Sequence, residues 1–220
     1  MTNVQLIADP QYLTFFSDYL KKHDTIMLDG EPDVVFDASF LNPAEKAERL
    51  SKLDTNALII SNTLTMSTAA ARAAAGTNAR VCGMPMLPYY FDRQKTVEYA
   101  FPFGVQANDE DAKNFLALLG KSGEKINDAV AGIFPRALAM IINEAAFAVQ
   151  ESVATAKDID TAMKLGTNYP KGPLAWCDEI GATAIVAVLD ALATEYGSDR
   201  YRVASLLRRN AEGGLKFIED

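Results

Sequence analysis

Short apolar runs alternate with segments of helical periodicity through the first half of the chain. Residues 3–8 (NVQLIA) read as a buried strand. Residues 10–22 follow as a helix in which Tyr12, Phe15, Phe16 and Tyr19 recur at helical spacing. Residues 25–30 (TIMLDG) form a second strand stopped by Gly30, and residues 33–39 (DVVFDAS) a third. Asn42-Pro43 opens the next helix in the N-cap, N1 arrangement: asparagine accepts first-turn amide bonds, and proline has no amide to leave unmet. Residues 56–61 (NALIIS) are a fourth strand, and an alanine-rich helix runs from about Ser67 to a stop at Gly76. ARVCG and VEYAF are two further short strands, after which Asn108 caps a helix running to Gly120. Strands separated by helices predict parallel βαβ units with right-handed crossovers.

Beyond residue 128 the pattern turns all-helical. Residues 129–152 are apolar over much of their surface, and Pro135 within them either kinks a long helix or marks its true start. A short helix is expected over 156–165, then a YPKGP turn, then a long helix over 174–196 that Gly181 interrupts and divides as a candidate break. A last helix is expected over 199–212, carrying Arg202, Arg208 and Arg209. The predicted organisation is therefore an α/β domain over residues 1–128 and a helical domain over 129–220, with no internal repeat.

Composition narrows the function classes. Of the 220 residues, 49% are apolar and the net charge is −8, so the chain can bury a core but supplies no basic stripe for a phosphate backbone. No apolar run reaches membrane-span length. The two cysteines, Cys82 and Cys177, lie far apart and suit neither a disulfide framework nor a metal knuckle. The opening MTNVQLIADPQY has no basic stretch leading into an apolar core, so a reducing cytoplasm is the expected setting. The single histidine, His23, reads as a surface or capping residue at the end of a helix. Histidine-based acid–base chemistry then has no other residue to use.

A dinucleotide-binding α/β domain needs glycines after its first strand, so that a pyrophosphate can approach the N-terminus of the next helix. Here that turn reads Ala8-Asp9-Pro10-Gln11-Tyr12-Leu13 and holds no glycine. Pro10 removes an amide donor, Asp9 adds negative charge and Tyr12 adds bulk. No G-x-S-x-G elbow, P-loop, H-E-x-x-H or C-x-x-C occurs. Glu98 and Asp178 are isolated carboxylates, and the crowded GMPMLPYYF segment (84–91 after Gly83) reads as core, with a ligand wall as the alternative.

Several segments together resemble the 3-hydroxyacyl-CoA dehydrogenase family. PDVVFDASFLNPAEKAERLSKLD and ALIISNT are similar to two stretches of its Rossmann domain. The helical half carries its signature in Arg136, Asn143-Glu144-Ala145, Asp158-Ile159-Asp160, Ala162-Met163, Gly166, Pro170, Gly172-Pro173, Asp178 and Gly181. The finer likeness is to the carboxy-terminal repeat of long dehydrogenases of phenylacetate and hydroxyadipyl-CoA breakdown, with a shortened Rossmann segment. The resemblance implies a reduced Rossmann-like α/β domain followed by an all-α domain of the 3-hydroxyacyl-CoA dehydrogenase C-terminal type.

The same resemblance implies NAD, a catalytic histidine paired with a glutamate, a serine after S-N-T, and an asparagine before the helical domain's arginine. In this chain Pro85 stands at the histidine, Leu64 at the serine and Pro135 at the asparagine, and only Glu98 is retained. Neither proline nor leucine transfers a proton. The expectation is thus a degenerate, non-catalytic relative with no cofactor, dimeric through its helical domain, binding an acyl-CoA or a full-length dehydrogenase. Two alternatives stand beside it: an active NAD-dependent enzyme using Glu98, Tyr89 or Tyr90, and a purely structural partner. Nucleic acid and membrane are not expected partners.

Overall fold

The computed structural model describes residues 1–105 and 109–218, and these fall into two compact units, Met1–Gly132 and Ile133–Asp220. The first unit is built on β1 (Thr2–Ile7), α1 (Pro10–Lys21), β2 (Ile26–Met27), β3 (Val34–Asp37), α2 (Pro43–Ser51), β4 (Leu58–Asn62), α3 (Thr68–Ala75) and β5 (Val81–Met84). Its strands pair in the order β2-β1-β3-β4-β5, every pair parallel, as alternating strands and helices require. β3 and β4 are buried at every position, and Val35, Leu50, Ile59, Met66, Ala71 and Val81 form a core cluster between sheet and helices.

Local signals behave as their chemistry demands. Asn42 Oδ1 accepts from the amides of Ala44 and Glu45 at the start of α2, and Ser67 Oγ accepts from Ala70 at the start of α3. Gly76 ends α3 with a positive φ of 107°. Several expectations are corrected. β1 is only partly buried, with Val4 alone inside, and β2 shrinks to two residues because Leu28–Gly30 turn away from the sheet. VEYAF forms the short strand expected, but outside the five-stranded sheet. β6 (Thr96–Tyr99) pairs in parallel with β7 (Ser122–Lys125), a strand the polar SGEK sequence did not suggest, and the two flank α4 (Asp109–Leu118) in the chain. A bridge between Gly83 and Ala100 joins this pair to β5. The expected cap Asn108 lies outside the described residues.

The second unit is all helix: α5 (Phe134–Gln150), α6 (Ala156–Thr167), α7 (Pro173–Ile180), α8 (Ala182–Tyr196) and α9 (Ser205–Gly213). Pro135 lies in the first turn of α5, where its missing amide costs nothing, so it starts the helix and does not kink it. Gly181, at φ 99°, separates α7 from α8. The expected last helix is broken: Asp199–Tyr201 form a single 3-10 turn, and Arg202 lies in the extended link before α9. Leu138, Ile142, Leu174, Ile185, Leu189 and Leu207 are buried in this unit. Among the described residues no helix is long and apolar enough to cross a membrane. The fold is a reduced Rossmann-like unit followed by a helical one.

Candidate functional site

In a parallel sheet the loops leaving the carboxyl ends of the strands meet along one edge. A crevice opens where neighbouring strands send their helices in opposite directions. Here that point lies between β1, which leads through α1 to β2 on one side, and β3, which leads through α2 to β4 on the other. Asp9, directly after β1, sits at the N-cap position of α1 but makes no side-chain bond to its own helix. Its carboxylate instead accepts from the amides of Phe40 (2.8 Å) and Leu41 (3.1 Å) in the loop after β3, and Asp9 is buried. Tyr12, one turn into α1, stacks on Phe40 at 5.4 Å between ring centroids and is 4% exposed. Burial pushes the Tyr12 hydroxyl's pKa up. Tyr89 closes over Tyr12 edge-on at 6.2 Å and contacts Phe15 at 4.9 Å, from a left-handed φ of 59°.

This arrangement does not fit a dinucleotide. A pyrophosphate there needs free amides at the start of α1 and room above them. Pro10 has no amide, a carboxylate lies beside the place, and two aromatic rings fill the space.

Behind the closed crevice lies a buried polar network. Lys46 on α2, 0% exposed, places Nζ 2.8 Å from Asp37 Oδ2 and donates to the carbonyls of Ser39 and Asn62, both at 2.8 Å. Burial lowers the Lys46 pKa, and the neighbouring Asp37 carboxylate opposes that shift. Asp37 also accepts from the hydroxyls of Ser39 (2.5 Å) and Ser61 (3.2 Å). Asn62 donates to the carbonyls of Ala38 and Met86, and its Oδ1 accepts from Leu64 and Met86. Every strong charge in this core has a partner, as burial demands.

The structure brings three of the four positions taken from the resemblance into one neighbourhood. Thr63 donates its amide to the Met84 carbonyl and accepts from the Ala131 amide, which sets Leu64 and Pro85 near Gly132. Pro85 and Glu98 converge on Gly132 itself, at φ 57°: a Cβ built there would meet the Pro85 ring at 2.8 Å and overlap the Glu98 carboxylate. Leu64 is fully buried, and Glu98 is half-buried on β6. Pro135 belongs to the other unit, in the first turn of α5, where it is buried. The GMPMLPYYF segment divides: Met84, Met86, Leu87 and Phe91 are core, whereas Tyr89 is 40% exposed.

In the helical unit the motif residues hold the backbone together. Asn143 donates to the Arg202 carbonyl and accepts from the Ala204 amide, both at 2.9 Å. Asp160 accepts from Leu174 (2.8 Å) and Ala175 (2.9 Å) at the start of α7, with Gly172 packed against its carboxyl group. Asp178 accepts from Phe217 and Ile218, both at 2.9 Å. The cap of α6 is Thr155, whose hydroxyl accepts from the Asp158 amide, and Asp158 lies in the first turn. Arg136 donates to the Tyr196 hydroxyl at 2.5 Å and lies 4.8 Å from its ring centroid. Sequence reading missed Lys46 and the Asp9 tether, since neither motif spacing nor periodicity marks them. Among the described residues no group of three His, Cys, Asp or Glu is placed to hold a metal.

Comparison with known proteins gives one consistent answer. Residues 133–216 match the 3-hydroxyacyl-CoA dehydrogenase C-terminal domain. The chain is 48% identical over 97 residues to the 3-hydroxyadipyl-CoA dehydrogenase of Escherichia coli, covering 44% of this chain and 20% of that protein. It is 33% identical over 189 residues to a probable 3-hydroxybutyryl-CoA dehydrogenase of Bacillus subtilis, covering 83% and 65%. These curated relatives are thus matched over less than two thirds of their own length. The crystal structure of the (S)-3-hydroxybutyryl-CoA dehydrogenase of Ralstonia eutropha superposes with a TM-score of 0.70 at 31% identity, over 83% of this chain and 66% of that one. FadB2 of M. tuberculosis, at 20% identity, shares the fold with a TM-score of 0.79 over 98% of this chain and 90% of its own. Sequence and fold together place the chain in the 3-hydroxyacyl-CoA dehydrogenase family.

Proposed function

We propose that this chain is a family member without dehydrogenase chemistry, acting as a dimeric accessory or acyl-CoA-binding protein in CoA-thioester metabolism. The observation that carries the reading is the Pro85–Gly132–Glu98 contact. Oxidation of a 3-hydroxyacyl group needs a base to take the alcohol proton while hydride leaves for a nicotinamide. At the position where the resemblance expects an imidazole, a pyrrolidine ring packs beside the glutamate. Leu64 and Pro135 likewise offer no proton donor or acceptor. Glu98 then has no imidazole to orient. The helical unit, with its apolar helices, is the surface through which a second copy would dimerise.

The test is direct. Purified protein is mixed with acetoacetyl-CoA and NADH, following absorbance at 340 nm, and each ligand is titrated separately by calorimetry. The expected result is no NADH oxidation and no NADH binding. Acetoacetyl-CoA binding supports the acyl-CoA-binding role, and its absence leaves the purely structural partner. Turnover that disappears in Glu98→Gln overturns the proposal in favour of an active enzyme with an altered site. Light scattering after gel filtration reads the oligomeric state, for which a dimer is expected and a monomer counts against the reading.

A further inference from the structure

The loop after β3 carries an oxyanion site that the chain fills itself. Two successive amides, Phe40 and Leu41, both point at one oxygen, Oδ2 of Asp9. The guanidinium of Arg49, one turn beyond Lys46 on α2, approaches the other oxygen, Oδ1, at 3.7 Å. That separation is too long for a hydrogen bond. Arg49 Nε and Nη2 are accordingly buried without a hydrogen-bond partner, while Glu45 sits 3.9 Å from its other terminal nitrogen. Consecutive amides plus a guanidinium are the donor set that binds carboxylate and phosphate oxygens.

Asp9 reaches this set at a cost to its own helix. An aspartate at an N-cap ordinarily accepts from first-turn amides. Asp9 makes none to α1 and spends both of its amide bonds on a loop 31 residues away. The donors of that loop therefore draw the carboxylate more strongly than the helix it precedes. The geometry points to a carboxylate- or phosphate-binding site, formed by the Phe40 and Leu41 amides with Arg49, that Asp9 occupies as a tethered internal anion. The inference goes beyond the loss of dehydrogenation: it assigns a ligand chemistry to a place that needs no nicotinamide, and it stands whether or not the chain turns over.

Removing the tether should leave a site that small anions can refill. Asp9→Gly is expected to melt several degrees below the native protein. Formate at tens of millimolar should restore most of that loss, while chloride at equal ionic strength should not. Inorganic phosphate in place of formate separates a phosphate-sized site from one limited to carboxylates. The native protein, already filled, should respond to formate and chloride alike. Formate acting no better than chloride on a folded Asp9→Gly overturns the proposal.

Asp9→Asn decides the question if the glycine variant fails to fold. It keeps the shape and an acceptor oxygen for both amides but carries no charge. An oxyanion site predicts a lower melting temperature than native at pH 7, with the difference shrinking in an Arg49→Gln background. Equal melting temperatures for Asp9→Asn and native protein overturn it, because a neutral acceptor would then serve as well.

Discussion

The Lys46 ammonium lies 2.8 Å from the Asp37 carboxylate, with 0% and 1% of the two side chains exposed. This pair ties α2 to the end of β3, and through the Ser39 and Asn62 carbonyls it also ties the loops after β3 and at the end of β4. Breaking a buried pair by removing one partner strands the other charge, at about 3–5 kcal/mol. Lys46→Met should therefore lower the urea midpoint of the protein severely. The double variant Asp37→Leu with Lys46→Met should recover part of that loss, since no charge is then left unpaired. A double variant no more stable than the single one would show that the neighbouring Ser39 and Ser61 hydroxyls, not the charges, dominate.

Gly132 is held at φ 57° with the Pro85 ring and the Glu98 carboxylate against its α-carbon. An alanine there meets both a left-handed backbone, at about 1–2 kcal/mol, and a steric overlap. Gly132→Ala should lower the melting temperature, and adding Glu98→Ala should return part of the loss by clearing the carboxylate. Thermal unfolding of the three variants reads this coupling, and strict additivity would place Gly132 away from Glu98 in solution.

Asp160 is the outside cap of α7. Asp160→Ala removes two charge-assisted bonds to the Leu174 and Ala175 amides and leaves both donors unmet in a buried or half-buried place. A loss of about 1–3 kcal/mol follows. Asp160→Asn should cost less, because its amide oxygen still accepts. Gly172→Ala should mimic the deletion, since its Cβ would overlap the Asp160 carboxyl group. Amide hydrogen exchange at Leu174 and Ala175 should rise in all three variants, and unchanged protection would count against the cap.

His23 should give stability an acid dependence. Its Nε2 is buried without a partner, and its ring lies edge-on to Tyr19 at 5.2 Å. Burial first, then the charges of Lys121 and Lys22, lowers its pKa from 6.5, with Asp24 opposing. A lowered histidine pKa means that the unfolded chain binds more protons just below pH 6.5, so stability rises with pH through that interval and falls as the solution is acidified. Urea midpoints between pH 5 and 7.5 should show this slope, and His23→Gln should flatten it. A slope unchanged in His23→Gln would assign it to carboxylates.

What the sequence made legible was local chemistry. Asn42 could be read as a cap because its partners are two and three residues away, and Pro135 could be read as a possible start because a first-turn proline needs no amide. Gly76 and Gly181 announced their breaks for the same reason. Partners far apart in the chain left no such trace. Asp9 finds Phe40 across 31 residues, and Lys46, on the charged helix PAEKAERLS, is buried by tertiary partners that its own helix does not encode. β7 escaped notice because SGEK alternates no apolar side chains; its place comes from pairing with β6. For the candidate site, the family pattern named Pro85, Glu98 and Leu64. The convergence of Pro85 and Glu98 on Gly132 depends on the single Gly83–Ala100 bridge that brings the β6–β7 pair to the end of β5, which periodicity does not encode.

The two-residue length of β2 has a consequence for how the molecule keeps its own company. An outermost strand is a template on which another chain can add a strand, and the hazard grows with the length of its unpaired backbone. β2 meets β1 over only Thr2–Ile26 and Asn3–Met27, so its outer rim offers a foreign strand too few bonds to stay. On the far rim, Gly83 already exchanges both of its backbone bonds with Ala100. A two-residue outermost strand therefore also guards the sheet against fibrous stacking.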